Sequence, residues 1–258
     1  MRILVLGANG MAGHMIVAYL RYQGYNVTAY TREDLDVERS LHFPQDFDYV
    51  INCIGVLLPD SEKDMQRTVF INSYLPQYLS SYYNVPIIHI STDCVFDGKR
   101  GNYSEYEISN ERHIYGLSKA LGELNNTKDI TLRMSIIGPE IKESGRSGLL
   151  NWLLNDSAET LVGYVNAKWN GITTLELAKV IEQYISNPVH GIFHPVSEEV
   201  TKYELLNLIN DVFDLGKTIN RGESIKDVNK VLTCTRPYFL VAPLKQQLEE
   251  LKEWNSKI

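Results

Sequence analysis

Cysteine is scarce in this chain, with only Cys53, Cys94 and Cys234 among 258 residues. An odd number without paired spacing excludes a disulfide framework or a cysteine metal knuckle and predicts reduced thiols. Positive charge is also short: 25 Lys and Arg face 32 Asp and Glu, a net charge of −7. Neither nucleic acid nor a membrane surface is therefore expected as a partner. No apolar run approaches the roughly 18 residues of a membrane span. The chain opens directly into an apolar stretch, from which no signal peptide is expected, so the sequence reads as cytoplasmic. His113, His190 and His194 form no metal-ligand spacing, and no metal is expected.

What the chain does have is length and alternation. At 258 residues it can bury a substantial core without metals or disulfides. Short apolar runs at Ile3–Leu6, Asn26–Tyr30, Tyr49–Cys53, Val85–Ile90 and Ile130–Met134 alternate with helical periodicity at residues 11–22, 62–83 and 113–126. Strand and helix in alternation predict an α/β fold with a doubly wound parallel sheet. A helix over 173–186 and a strand at Gly191–His194 continue it. The expected division is a ligand-binding domain over 1–138, to which about 164–195 return, with a smaller lobe made of 139–163 and 196–258.

Between the first strand and first helix stands "GANGMAGH". At the carboxyl edge of a parallel sheet, a helix amino terminus presents free N–H groups to a phosphate. There Gly7 permits the turn, Gly10 lets backbone approach a pyrophosphate, and Gly13 lets the helix pack close. The pattern points to a dinucleotide. After the second strand comes Arg32 rather than an acidic residue, a fork suited to a 2′-phosphate and thus to NADPH, with NADH left open.

Further along, "YGLSK" sets Tyr115 and Lys119 one helical turn apart, and "HISTDCVFDG" places Thr92 at the sheet edge. Reduction of a ketone needs a hydride on carbon and a proton on oxygen, which a tyrosine can give. Bringing a tyrosine from a pKa of about 10 to about 7 takes roughly 4 kcal/mol. A cation about 4 Å away at an effective dielectric near 20 supplies about that much, a role Lys119 is expected to fill.

With these residues the sequence resembles the extended short-chain dehydrogenases/reductases, within them the dTDP-4-dehydrorhamnose reductase-like sugar-nucleotide reductases. The likeness rests on "GANGMAGH", "REDLDV", "VINC", Asn72, "STDCVFDG", "YGLSKALGE" and "LRMSIIGP". It implies a Rossmann-type fold with a smaller C-terminal substrate lobe. It further implies reduction at C4 of a nucleotide-linked 4-keto-6-deoxy sugar for surface polysaccharide, and leaves a homodimer open. By position, Thr92, Tyr115 and Lys119 are implied to be catalytic. Asn9, Met11 and Ser91 join the three glycines at the cofactor, Asp36 and Val37 border its adenine, Asn52, Cys53, Ile54 and Gly55 follow its nicotinamide side, and Asn72 supports from a helix. Asp93, Cys94, Val95, Arg133, Ser135, Trp169, Asn170 and Arg236 are implied to lie toward the substrate.

Two departures stand out. Glu111 replaces a proline that many relatives carry four residues before the tyrosine, so the entry into the helix is expected to differ. Asp93-Cys94 replaces the Asp-Glu pair of the 4,6-dehydratases and has no glutamate for elimination. Cys94 stands where GDP-fucose synthases carry an epimerising base, so an epimerase-reductase is one alternative and a non-catalytic nucleotide-binding subunit another.

Overall fold

In the computed structural model, which describes residues 1–141, 148–225 and 228–256, the apolar run near the amino terminus forms β1 (Arg2–Leu6) at the heart of a parallel sheet. Its side chains alternate between two cores: Ile3 and Val5 enter one, Leu4 and Leu6 the other. The other strands are β2 (Asn26–Tyr30), β3 (Tyr49–Asn52), β4 (Ile87–Ile90), β5 (Ile130–Leu132) and, after four short strands, β10 (Gly191–Phe193). They lie in the order β10-β5-β4-β3-β1-β2, every neighbour parallel. Winding reverses between β1 and β3, the place where sheets of this kind bind ligands. Because Leu6 pairs with both Tyr30 and Asn52, the carboxyl ends of these central strands share one edge.

Helix α1 (Met11–Tyr22) packs against α7 (Thr174–Ser186) on one face. The other face carries α2 (Leu58–Ser61), α3 (Met65–Val69), a π-helical turn (Phe70–Tyr74), α4 (Leu75–Tyr82) and α5 (Ile114–Gly122). One continuous helix was expected over 62–83; the structure breaks it. Leu75 reaches back five residues to the Phe70 carbonyl, and Pro76 has no N–H to offer the Asn72 carbonyl. Gly122 packs on that freed carbonyl, so closely that a Cβ there would lie 1.9 Å from it.

The later chain adds β6 (Ile136–Ile137), α6 (Leu149–Asn155), β7 (Thr160–Tyr164), β8 (Lys168–Trp169), β9 (Ile172–Thr173), β11 (Val200–Thr201), α8 (Lys202–Val212), β12 (Thr218–Gly222) and α9 (Leu244–Asn255). Its two-stranded sheets pair β7 with β12, β8 with β11 and β6 with β9. Thr201 and Glu204 start α8 with a reciprocal capping box. Leu205, Ile209, Leu244, Leu248 and Leu251 are buried in the same apolar cluster as Ile16 and Leu20, which fastens this part to the sheet. Residues 142–147, 226–227 and 257–258 of the expected lobe lie outside the described residues. Among the described residues no helix is long and apolar enough to cross a membrane.

Candidate active site

The turn after β1 is built around positions where a side chain would collide. Gly7 has φ +78, and a Cβ on it would come 3.0 Å from the backbone of Cys53 and Ile54. A Cβ on Gly13 would meet the Gly7 carbonyl at 2.2 Å, so α1 starts hard against the turn. Gly10, the N-cap of α1, lacks a capping side chain, and a Cβ there would make only ordinary 3.4 Å contact. Its smallness is thus free to serve a ligand. Gly7 and Ala8 both donate to the Tyr30 carbonyl, at 2.9 and 3.0 Å, which ties the turn to the end of β2.

A cavity of about 230 Å³ runs from this turn along the sheet edge. Gly7, Asn9, Gly10, Arg32, Asp36, Val37, Cys53, Ile54 and Gly55 line it, nine of the residues expected at a cofactor. Met11 opens α1 beside Gly148, and Gly13 lies beneath. Asn52 is fully buried; its Oδ1 accepts the Ile54 N–H at 3.1 Å and its amide meets His89 Nδ1 at 3.2 Å. Asn72 accepts the Val56 N–H at 2.8 Å and donates to the Val56 carbonyl at 3.1 Å and to the Ser118 hydroxyl at 3.2 Å.

Beyond β4, the Thr92 hydroxyl accepts the Cys94 N–H at 3.1 Å and donates to Asp93 at 3.1 Å. Tyr115 on α5 lies close enough to Thr92 for the threonine hydroxyl to act on its phenol, so the two expected catalytic hydroxyls come together. Lys119, one turn on, is 5% exposed and donates to the Ile90 carbonyl at 2.7 Å. Burial brings its pKa down to about 8, opposed by Glu123 and Cys53.

The expected depression of Tyr115 by Lys119 is not found. Burial raises the phenol above its ordinary value, the Cys94 thiol adds to this, and the neighbouring Thr92 hydroxyl opposes it. The Lys119 ammonium is spent on the Ile90 carbonyl instead. Tyr115 is consequently protonated at neutral pH, the form that can give a proton. Burial also pushes the Cys94 thiol up to about 11, with the Asp93 carboxylate adding, so Cys94 is no ready base at neutral pH.

A glycine cradle at the switch point beside paired hydroxyls and a buried lysine is suited to a dinucleotide and proton transfer. A family profile described as the RmlD substrate binding domain matches residues 1–252. The chain belongs to this family. It is similar to the dTDP-4-keto-6-deoxy-D-glucose reductase of Streptomyces niveus, 30% identical over 224 residues, which are 80% of this chain and 77% of that one. A crystal structure of a dTDP-4-dehydrorhamnose reductase from Clostridium acetobutylicum matches with a TM-score of 0.83 at 21% identity, covering 99% of this chain and 100% of that one. That of a dTDP-4-dehydrorhamnose reductase from Bacillus anthracis, in complex with NADP, matches with a TM-score of 0.81 at 18% identity over 100% and 99% of the two chains. These two likenesses establish the Rossmann-like fold.

The residues expected toward the substrate divide into two groups in this RmlD-family chain. Asp93 and Cys94 adjoin Thr92, and Val95 is fully buried behind them. Trp169 is 6% exposed and donates its indole N–H to the Ser135 hydroxyl at 2.8 Å. Asn170 is spent on the backbone of Leu232, donating at 2.7 Å and accepting at 3.2 Å. Arg133 is 1% exposed and committed internally, to both oxygens of Glu123 at 2.9 and 2.5 Å and to His194 at 3.2 Å. The Ser91 hydroxyl donates to the same Glu123 at 2.7 Å. Arg236 lies over the Phe193 ring at 3.8 Å and donates to the Ile192 carbonyl at 3.1 Å, on the edge strand. Arg133 and Arg236 thus share a separate cavity with Glu105 and Glu123 and do not join the catalytic hydroxyls.

The region beside the hydroxyls includes two lysines that sequence reasoning missed. Lys202, the first residue of α8, holds its ammonium 5.2 Å from the Trp169 ring centre. Burial raises the Asp93 carboxyl, and Lys230 foremost, with Thr92, Cys94 and Lys202 after it, opposes that. Lys230 also pairs with Glu111 at 3.4 Å. Glu111 shapes the helix entry: its carboxylate accepts the N–H groups of Arg112 at 2.7 Å and His113 at 3.0 Å just ahead of α5. A lysine at the positive end of a helix is electrostatically out of place, the one signal that could have drawn attention to Lys202.

Proposed function

We propose that this chain is an NADPH-dependent reductase of the C4 ketone of a nucleotide-linked 4-keto-6-deoxy sugar, of the extended short-chain dehydrogenase/reductase type, serving surface polysaccharide synthesis. The observation that carries the reading is the juxtaposition of Thr92 and Tyr115 at the carboxyl edge of β4, with Lys119 one turn further along α5. Family membership, the reductase name of the Streptomyces niveus relative and the NADP in the Bacillus anthracis structure support it.

Gly7 and Gly13 hold the turn and the helix close, and Gly10, where a Cβ would meet only ordinary contact, leaves the start of α1 open to the cavity, which fits a dinucleotide pyrophosphate there. When bound, the cofactor supplies the hydride that reduces the ketone carbon. Thr92 orients the carbonyl oxygen, and Tyr115 gives it a proton as negative charge develops there. The Lys119 ammonium, held on the Ile90 carbonyl, keeps positive charge one helical turn from the tyrosine. Asp36, Val37 and Asn52 to Gly55 frame the nucleotide, and Asn72 and Ser91 steady the walls. Residues 1–138 with about 164–195 carry the cofactor, and 139–163 with 196–258 carry the substrate. Lys202 and Lys230, whose charges both act on Asp93, bring two cations toward the diphosphate of a sugar nucleotide.

The test is NADPH oxidation by the purified chain against dTDP-, UDP-, GDP- and CDP-linked 4-keto sugars, repeated with NADH. Tyr115→Phe should lower turnover by about 10²- to 10⁴-fold. Unchanged turnover in that variant would remove the reductase reading.

A further inference from the structure

At the far end of the cofactor cavity, away from the glycine turn, Arg32, Arg67 and Glu38 form the centre of a charged network that also takes in Asp36, 3.5 Å from both Arg32 and Arg39. The Arg32 guanidinium meets Glu38 Oε2 at 2.7 Å. Arg67 Nε, arriving from α3, lies 3.0 Å from both oxygens of the same carboxylate. All three residues line the cavity wall. Arg67 and Glu38 are about two-thirds buried, with side-chain exposures of 31% and 27%, whereas Arg32 is 60% exposed. Neither Glu38 nor Arg67 stands out in the sequence, because 29 residues separate them and the turn after β2 brings them together only in the fold.

The Glu38 carboxylate, held by Nη2 of Arg32 and Nε of Arg67, occupies donors that another anion would use. Each guanidinium fork offers paired N–H donors matched to a carboxylate or a phosphate, and a phosphate brings more charge and a third oxygen. A ribose with a free 2′-hydroxyl makes the opposite demand, an acceptor rather than a donor, which a carboxylate meets.

We propose that Glu38 sets the discrimination between phosphorylated and unphosphorylated adenosine ribose, by competing with a 2′-phosphate for the Arg32 and Arg67 guanidiniums. This rests on the dinucleotide reading of the cavity. With an unphosphorylated ribose, Glu38 stays on the arginines, neutralises them and accepts the 2′-hydroxyl. With a 2′-phosphate, both forks turn from the carboxylate to the phosphate, and Glu38 repels it. Arg67 is then a second phosphate ligand beside Arg32, and Glu38 narrows the preference for the phosphorylated cofactor without abolishing it.

The experiment is calorimetric titration of the full chain with adenosine 2′,5′-bisphosphate and with adenosine 5′-monophosphate at one ionic strength. Both Glu38→Gln and Glu38→Ala should raise the affinity ratio in favour of the bisphosphate by about tenfold, and Arg67→Gln should lower it by about tenfold. Each ratio is internal to one variant, so a general loss of folded protein does not shift it. A ratio within twofold of the unsubstituted chain in either Glu38 variant, or in Arg67→Gln, overturns the proposal, as does binding of neither nucleotide by the unsubstituted chain. Because no turnover is read, a chain that shows these shifts yet reduces no 4-keto sugar keeps this assignment and loses the reductase one, while a working reductase with unmoved ratios does the reverse.

Discussion

Asn72 and Val56 are joined twice: the Val56 N–H donates to Asn72 Oδ1 at 2.8 Å, and Asn72 Nδ2 donates back to the Val56 carbonyl at 3.1 Å. The same amide reaches Ser118 at 3.2 Å, next to Lys119. One buried side chain on the π turn therefore couples the wall of the cofactor cavity to the helix of Tyr115. Asn72→Ala strands two backbone groups and should cost about 2–3 kcal/mol of unfolding free energy, read as a lower denaturation midpoint at unchanged slope. Equal midpoints for variant and parent would show that water replaces the amide without penalty.

The glycines of the first turn should separate into a folding role and a ligand role. Gly13→Ala forces a Cβ to within 2.2 Å of the Gly7 carbonyl, so α1 has to shift, at about 1–3 kcal/mol as for an overpacked core. Gly10→Ala meets only 3.4 Å contact at an extended φ of −80 and should melt like the parent. It should nonetheless lose dinucleotide affinity by tenfold or more, on the order of 1.4 kcal/mol. Thermal melts with and without NADPH check both, and the reverse pattern would place the pyrophosphate elsewhere.

The two halves of the chain were unequally legible. Strand and helix periods gave the five sheet strands to Ile130–Leu132 and the turn of Gly7 to Gly13, because such a sheet is written locally in apolar runs and breakers. Periodicity could not show the break at Phe70–Tyr74, since a π turn costs only one extra residue. Arg133 read as a substrate contact, but Glu123 and His194 already take its donors, and such partners lie together only in three dimensions. Lys202, Lys230, Glu38 and Arg67 were missed for the same reason. Their roles come from a facing Asp93 or a shared carboxylate, which no spacing encodes.

Lys119 should give the stability curve a distinctive sign. Its pKa falls from an ordinary 10.5 to about 8 on folding, so between these values the unfolded chain binds more protons and stability rises with pH. The parent should gain up to about 3 kcal/mol relative to Lys119→Met as pH goes from 8 to 10.5, with the difference constant below. Denaturant titrations across that range measure it. In turnover the direction is opposite, since the ammonium is lost as pH rises: kcat/KM should decline above about pH 8. A limb that begins only near the phenol's own range would assign it to Tyr115.

Cys94 should prove dispensable for reduction. Its thiol, pushed up to about 11, carries almost no thiolate at neutral pH. Cys94→Ala should keep turnover within about threefold, on the scale of a modest repacking. It should also leave unchanged any solvent deuterium gained beside the ketone. Deuterium incorporation that the parent shows and the variant loses would instead establish Cys94 as an epimerising base.

Lys202 should act on binding and leave the chemistry alone. It approaches from α8 with its ammonium 5.2 Å from the Trp169 ring centre, whereas the proton donor sits on α5, so the lysine is placed to meet the charged part of a substrate. A group that contacts ground state and transition state alike raises KM on removal without lowering kcat. Lys202→Ala should accordingly raise KM for the sugar nucleotide about tenfold at near-constant kcat, and Lys202→Arg, which keeps the charge and can lie on the same ring, should recover part of the loss. The free nucleoside diphosphate should weaken as an inhibitor by the same factor. A fall in kcat with KM unmoved would place the ammonium at the reacting carbonyl, and an unchanged diphosphate inhibition constant would take it off the diphosphate.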